Sequence, residues 1–254
     1  LALNENGDSL WTKFYFEGNG EDVHSVIKTD DGGYAIAGST ESLGNGGPDY
    51  FLMRLDENCD SLWTRSYGAR HVDNCNRIIQ TSDGGFALAG TSNSYRGGPP
   101  TFVVIFTDEN GDSLWSYIAE TGQRDEDFCY TVDEVASEEN GEPLYVMSGG
   151  KLTGNNGDPN MWTIAINSEG VRQWERLDGI EEAFISELAE TSTVTAEGDV
   201  VYSGTFTDRI AILKISPNGE LVYERYWDLE EWGEIDKLYC KSLIQNEEFG
   251  LSLA

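Results

Sequence analysis

An all-β array of four-stranded units is the fold this sequence predicts, and three observations carry that expectation. The first is a motif, Asn-Gly-Asp-Ser-Leu-Trp, that returns along the chain at Asn6–Trp11, at Asn58–Trp63 (with Cys59 in the glycine's place) and at Asn110–Trp115. Fainter copies are Glu169–Trp174 and Asn218–Tyr223, and the closing aromatic recurs at intervals of 52, 52, 59 and 49 residues. A period near 50 marks an array of supersecondary units. The second is the Asp-Gly-Gly turn at Asp31-Gly32-Gly33 and Asp83-Gly84-Gly85, a hairpin signal between β-prone segments. The third is that each repeat divides into four short strand-like segments and contains no helix.

The second unit reads most clearly. Arg77–Thr81 is a first strand, Phe86–Gly90 a largely apolar second strand, Phe102–Phe106 a third and Ser113–Tyr117 a fourth. A loop from Thr91 to Pro100 carries Gly97-Gly98-Pro99-Pro100 and cannot be regular. The Asn-Gly turn between the third and fourth strands needs positive φ at its glycine, as a short hairpin with a glycine bulge does. The first unit gives Ser25–Thr29, Tyr34–Gly38, Tyr50–Leu55 and Ser61–Ser66. In the third and fourth units Glu139-Asn140-Gly141 and Glu197-Gly198-Asp199 take the place of the Asp-Gly-Gly turn.

Four-stranded antiparallel sheets repeated at this period define a β-propeller, each sheet a blade around an axis. The blades fall at about 22–66, 73–119, 126–178 and 183–227, in one domain spanning 1–254. Residues 236–254 supply a first and second strand, while residues 1–17 supply the end of a third strand and a fourth. Together they make a fifth blade, and pairing them closes a ring without free edges. A longer array cut at the same point of its repeat has the same complementary ends.

The order of features resembles the Kelch propeller repeat: a glycine after the second strand, a third strand, an acidic turn and a tryptophan. More closely, Asp31–Thr40 (DGGYAIAGST) and Asp83–Ser92 (DGGFALAGTS) are similar to the repeats of secreted and cell-surface proteins of bacteria and archaea. That resemblance implies architecture and an extracellular setting. It implies no activity, because such repeats serve many roles.

Composition narrows the function classes. Of 254 residues, 39% are hydrophobic and 11% aromatic, enough for a packed core. No run approaches 18 apolar residues, so membrane insertion is not expected. The balance of 46 acidic against 16 basic residues gives a net charge of −30, which repels nucleic acid and suits a cation, a basic partner or a salty medium. The chain opens on Leu1-Ala2-Leu3 without an initiator Met and is expected to be a processed form or an excised domain. Cys59, Cys75, Cys129 and Cys240 are too few for a disulfide scaffold and lack zinc spacing, so they read as small packing residues. No serine-hydrolase, zincin, redox or phosphate-loop motif occurs.

Candidate site residues follow from the topology. Turns after first and third strands share one face and are short. Connections after second and fourth strands share the other, where they are long and irregular, as binding loops are. On that face the loops are acidic, and Asp22, Asp125, Asp127 and Asp236 are candidate ligands for a divalent cation such as calcium. A solvated acidic rim with diffuse counterions is the alternative. Asn45, Asn155 and Asn156 in the glycine-rich loops, with Tyr95, Trp227 and Trp232 in or beside these loops, are candidate contacts for a saccharide. Trp11, Trp63, Trp115 and Trp174 recur with the repeat and read as packing residues. Asp108–Asp112 resembles the start of a calcium loop but lacks its downstream Glu, and a hairpin turn selects the same residues. The leading expectation is an extracellular non-catalytic module that binds a saccharide or a protein. A glycoside hydrolase, which needs two carboxylates flanking one bond, and a structural spacer of a surface layer or filament are the competitors.

Overall fold

Asp-Gly-Gly and Asn-Gly turns cut the chain into short antiparallel strands. In a computed structural model, residues 2–15, 20–44, 46–95, 98–120, 126–152, 159–178, 188–206, 209–228, 243–246 and 250–253 are described. A two-stranded sheet comes first, β1 (Ala2–Leu3) with β2 (Ser9–Trp11). Four four-stranded sheets follow, each ordered as in the sequence. Blade one is β3 (Glu21–Lys28), β4 (Tyr34–Thr40), β5 (Asp49–Leu55) and β6 (Ser61–Tyr67); blade two is β7 (Asp73–Gln80), β8 (Phe86–Ser92), β9 (Thr101–Thr107) and β10 (Ser113–Ile118). Blade three is β11 (Asp127–Ala136), β12 (Pro143–Leu152), β13 (Pro159–Asn167) and β14 (Arg172–Asp178). Blade four is β15 (Leu188–Val194), β16 (Val200–Phe206), β17 (Arg209–Ile215) and β18 (Leu221–Asp228). A second pair, β19 (Leu243–Asn246) with β20 (Gly250–Leu253), ends the order. The described residues form no helix. The result is a propeller-like array of antiparallel blades.

First strands of successive blades are neighbours, β3 beside β7, β7 beside β11, β11 beside β15 and β15 beside β19. The core lies between blades rather than within one. Ala35, Ala37 and Leu52 of blade one meet Ile78, Leu88 and Ile105 of blade two. Phe102, Val104 and Phe106 of blade two meet Val132, Met147 and Trp162 of blade three, and Val146 and Ala165 meet Tyr202 and Leu213 of blade four. Every residue of β8 and β9 is buried. Strands covered on both faces read as apolar runs rather than alternation, and the alanines of β4 and β8 let the sheets approach closely.

The recurring Trp and Gly of the sequence motif meet across blades. Trp63 lies against Gly111, Trp115 against Gly170 and Trp174 against Gly219; a Cβ on these glycines would stand only 2.6, 3.2 and 2.7 Å from the ring before it. The glycines also hold φ of +77°, +76° and +87°, so two constraints select the same residue. At the equivalent turn of blade one Cys59 replaces the glycine, with φ +59°, the one non-glycine residue with positive φ among those described. The Tyr15 hydroxyl donates to the Cys59 carbonyl at 3.0 Å, as the Tyr67 hydroxyl does to Gly111 at 2.7 Å. The β1–β2 pair therefore precedes blade one in the manner that blade one precedes blade two.

A second repeat feature departs from the sequence reading. The first strands, expected to begin at Ser25 and Arg77, begin at Glu21 and Asp73. Each complete blade has a β-bulge there: pairing jumps between Val23 and Ser25, Cys75 and Arg77, Cys129 and Thr131, and Ala189 and Thr191. The residue before each jump pairs with a glycine, Gly38, Gly90, Gly149 or Gly204. A Cβ on Gly38, Gly90 or Gly149 would run into the carbonyl of Asp22, Asn74 or Phe128. The bulge extends the strand past the point where simple alternation ends.

Candidate functional site

The long-loop face is organised by carboxylates at the heads of first strands. Asp73 is buried; it accepts from the Ala69 N–H at 2.9 Å and from the hydroxyls of Ser94, at 2.7 Å, and Ser92. Its own N–H donates to the Pro48 carbonyl at 2.7 Å. The His71 N–H donates to the Ser94 hydroxyl at 3.1 Å and the Asn93 N–H to the Val72 carbonyl at 2.9 Å. Three loops, represented by 46–48, 68–72 and 93–95, are thereby tied to one another. Within these loops Leu43, Val72 and Tyr95 are exposed, as are Arg70 and His71. Asp49, also buried, borders the space a Cβ on Gly68 would fill, and Asp73 borders the same space, so the two carboxylates lie side by side.

The same position in blade three is Asp127, fully buried, with its N–H donating to Pro100 at 3.0 Å. In blade one it is Glu21, which accepts from the Ser42 hydroxyl and, at 3.4 Å, from Thr40. Of the candidate cation ligands, Asp127 thus sits inside the fold, while Asp22 is exposed one residue beyond Glu21. Among the described residues no group of three acidic, His or Cys side chains is placed to hold a metal ion. Asp125, Asp236, Asn45, Asn155, Asn156 and Trp232 lie outside the described residues. Tyr95 is 42% exposed on the tied loops. Trp227 is half-buried near the end of β18, packed against Val201 and Ile212, with the Arg225 guanidinium 5.0 Å over its ring. A core contact of that kind makes Trp227 part of the packing of blade four.

On the short-turn face, Asp108 accepts from the N–H groups of Asn110 at 2.9 Å and Asp112 at 2.8 Å. These bonds, that of Asp112 first, hold its carboxyl below the usual range. Asn4 and Asn167 make the same pair of bonds with a neutral amide. The position therefore needs an acceptor for the turn, and a charge for a cation is not what selects it. Arg54, buried, reaches the Asp31 carboxylate at 2.6 Å and donates to the carbonyls of Tyr34 and Leu55 at 2.8 and 3.1 Å.

Two features here have no counterpart in the sequence reading. The bulge residues His24, Asn76, Tyr130 and Glu190 hold equivalent places on four neighbouring first strands. His24 Nδ1 lies 2.8 Å from the Cys75 carbonyl, and Asn76 Nδ2 donates to the Cys129 carbonyl at 2.7 Å, each reaching to the next blade. Burial, then the nearby Glu190 carboxylate, raises Tyr130. The sequence signal for these residues was a glycine inside each second strand. The other feature is a pocket of about 650 Å³ where the first strands reach the short-turn face, lined by Ile27, Lys28, Ile79, Gln80, Glu134 and Val135 among others. The face expected to be plain scaffold carries a cavity.

No family model and no curated protein matches this chain. A crystal structure of a protein of unknown function from Bacteroides caccae is similar in fold, with a TM-score of 0.55 over 99% of this chain and 76% of that one, at 13% sequence identity. Likeness at that identity shows the fold alone.

Proposed function

We propose that the protein is an extracellular, non-catalytic binding module that recognises a saccharide or protein through its long-loop face. The observation that carries this reading is the Asp73 network. Loops without regular structure are costly to order on binding, and a buried carboxylate that ties three of them together removes much of that cost beforehand. The loops so ordered expose the apolar groups Tyr95, Val72 and Leu43 together with Arg70 and His71, in a strongly acidic chain. The glycoside hydrolase reading gains less support: Asp49 and Asp73 are adjacent carboxylates, but both are buried.

The same proposal takes the array as a closed five-bladed ring of Kelch-like blades. It is supported by β1–β2 standing before blade one as an outer pair and β19–β20 following blade four as an inner pair. A glycan array, run with and without calcium, tests the saccharide arm. Selective binding that disappears in Tyr95→Ala supports it. Hydrolysis of any glycan would replace it with the enzyme reading, and silence on the array with unchanged behaviour of Tyr95→Ala and Val72→Asp would leave a spacer.

A further inference from the structure

Blade three carries a longer hairpin than its neighbours. Its β11 and β12 have ten residues each, where the first and second strands of the other complete blades have seven or eight. From the residue after the bulge to the residue that opens the turn, the strand runs Thr131 to Ser137. The equivalent stretches are Ser25 to Thr29, Arg77 to Thr81 and Thr191 to Thr195. Two further residues carry the tip about 6.6 Å beyond the other short turns. The turn is longer by one residue as well, closed by the Ser137 N–H donating to the Glu142 carbonyl at 2.8 Å. Insertions confined to single repeats of an array often mark its binding face.

The overhang has a cavity on each side. Inward, Val135 and Pro143 help to line the pocket of about 650 Å³. Outward, a second cavity of about 440 Å³ lies between the tip and blade four. Its walls include Glu138 and Glu139 from the tip, Leu144 and Trp174 of blade three, and Pro217 and Asn218 of blade four. Two bonds hold these walls together. Asn218 Nδ2 donates to Glu138 Oε2 at 2.8 Å, and Trp174 Nε1 donates to the Pro217 carbonyl at 2.8 Å. Glu138 and Glu139 are exposed, and neither has a basic partner among the described residues. No basic side chain of the described residues lines the cavity.

We propose that the short-turn face binds a basic peptide, seating one of its arginine or lysine side chains in this outer cavity. The make-up of the walls selects that group. Leu144, Pro217 and Trp174 offer apolar surface to a long aliphatic stem, while the two glutamates meet the charged head. A neutral ligand would cover the two carboxylates without supplying a counterion. A metal ion is not selected, because among the described residues no group of three acidic, His or Cys side chains is placed to hold one. The site is on the face opposite Tyr95 and is independent of the long-loop reading.

The test is a nuclear magnetic resonance titration of the whole chain at about 150 mM salt, with the Trp174 indole N–H as reporter. The probes are N-acetylarginine amide and N-acetyllysine amide, with N-acetylcitrulline amide as the neutral counterpart. A saturable shift of the Trp174 signal is expected with a cationic probe, and binding at least about tenfold weaker with citrulline. The double variant Glu138→Gln with Glu139→Gln, which keeps an acceptor for Asn218, should weaken the cation to the same degree. Glu57→Gln with Glu109→Gln removes as much charge from exposed turns elsewhere and should leave binding unchanged, as should Tyr95→Ala. Absence of a saturable shift with both cations overturns the proposal, as does citrulline binding as well as arginine. Equal weakening by the two double variants also overturns it, since the attraction would then be to net charge alone. Binding that depends on Tyr95 and ignores Glu138 and Glu139 overturns it while supporting the long-loop site.

Discussion

Neighbouring blades meet along two seams, and only the outer one keeps its residues. On the outer seam a Trp ring covers a turn glycine at Trp63–Gly111, Trp115–Gly170 and Trp174–Gly219. On the inner seam the bulge keeps its geometry while its side chain changes from His24 to Asn76, Tyr130 and Glu190. The outer contact is a steric fit with a positive-φ backbone beneath it, which few residue pairs satisfy. At His24 and Asn76 the inner contact is a single polar group reaching the next blade's carbonyl, and either side chain serves. Constancy here reports a packing constraint, and variation marks the places where chemistry is free to differ.

The largest effect should come from the outer seam. Trp63→Ala is expected to cost about 3–5 kcal/mol in chemical denaturation, because the ring fills the space between blades one and two. A loss below about 1 kcal/mol would show that the seam is not held by the ring. From the other side, Gly111→Ala should cost about 2–4 kcal/mol, combining a positive-φ penalty with overpacking against Trp63.

The inner seam should be more forgiving. Asn76→Ala leaves the Cys129 carbonyl without its donor and is expected to cost about 1–2 kcal/mol. Asn76→His, which borrows the residue of blade one, should restore most of that in the same melt. If the histidine variant is as damaged as the alanine one, the inner seam is as specific as the outer and the contrast fails.

The smallest effect is a pH dependence at the short turns. The Thr29 hydroxyl, the Gly33 N–H and Arg54 together hold the Asp31 carboxyl below its ordinary value. A depressed acid stabilises the fold above its unfolded pKa of about 3.9, and that contribution is lost as pH falls toward the lower folded value. The stability difference between wild type and Asp31→Asn should therefore shrink as pH drops from about 5 to about 3. Asp31 is mostly exposed, so screening keeps the effect small. A difference that grows on acidification would contradict the assignment.

Much of this was legible in the chain. Glycine turns and the Trp period gave the strands and the packing role of Trp63, Trp115 and Trp174, because both report backbone needs that few residues meet. The bulges were missed because Ser25 and Arg77, the first residues after them, look like strand starts. Gly38 and Gly90 carried the signal, but a glycine inside a strand also reads as loose packing. The acidic loops misled in a different way. Asp73 and Asp127 have the composition of a solvated rim, and only the fold shows that each stands buried at the head of a strand. Trp227 looked like a loop aromatic because the end of β18 has no turn signal before Asp228.

Both seams belong to an array that we propose closes into a ring. Aligning the terminal segments on the complete blades puts Ala2 opposite Gly250, as Arg54 stands opposite Ala35 in blade one. The direct test is a variant with cysteines at Ala2 and Gly250, oxidised in dilute solution and mapped by mass spectrometry of its peptides. Paired strands bring such residues to the Cα separation of about 5.5 Å that a disulfide spans. A 2–250 bridge within one molecule is expected, formed without loss of the folded signal. Reduced thiols at both positions, or bridges only between molecules, would show that the two ends do not share a blade and that the ring is open.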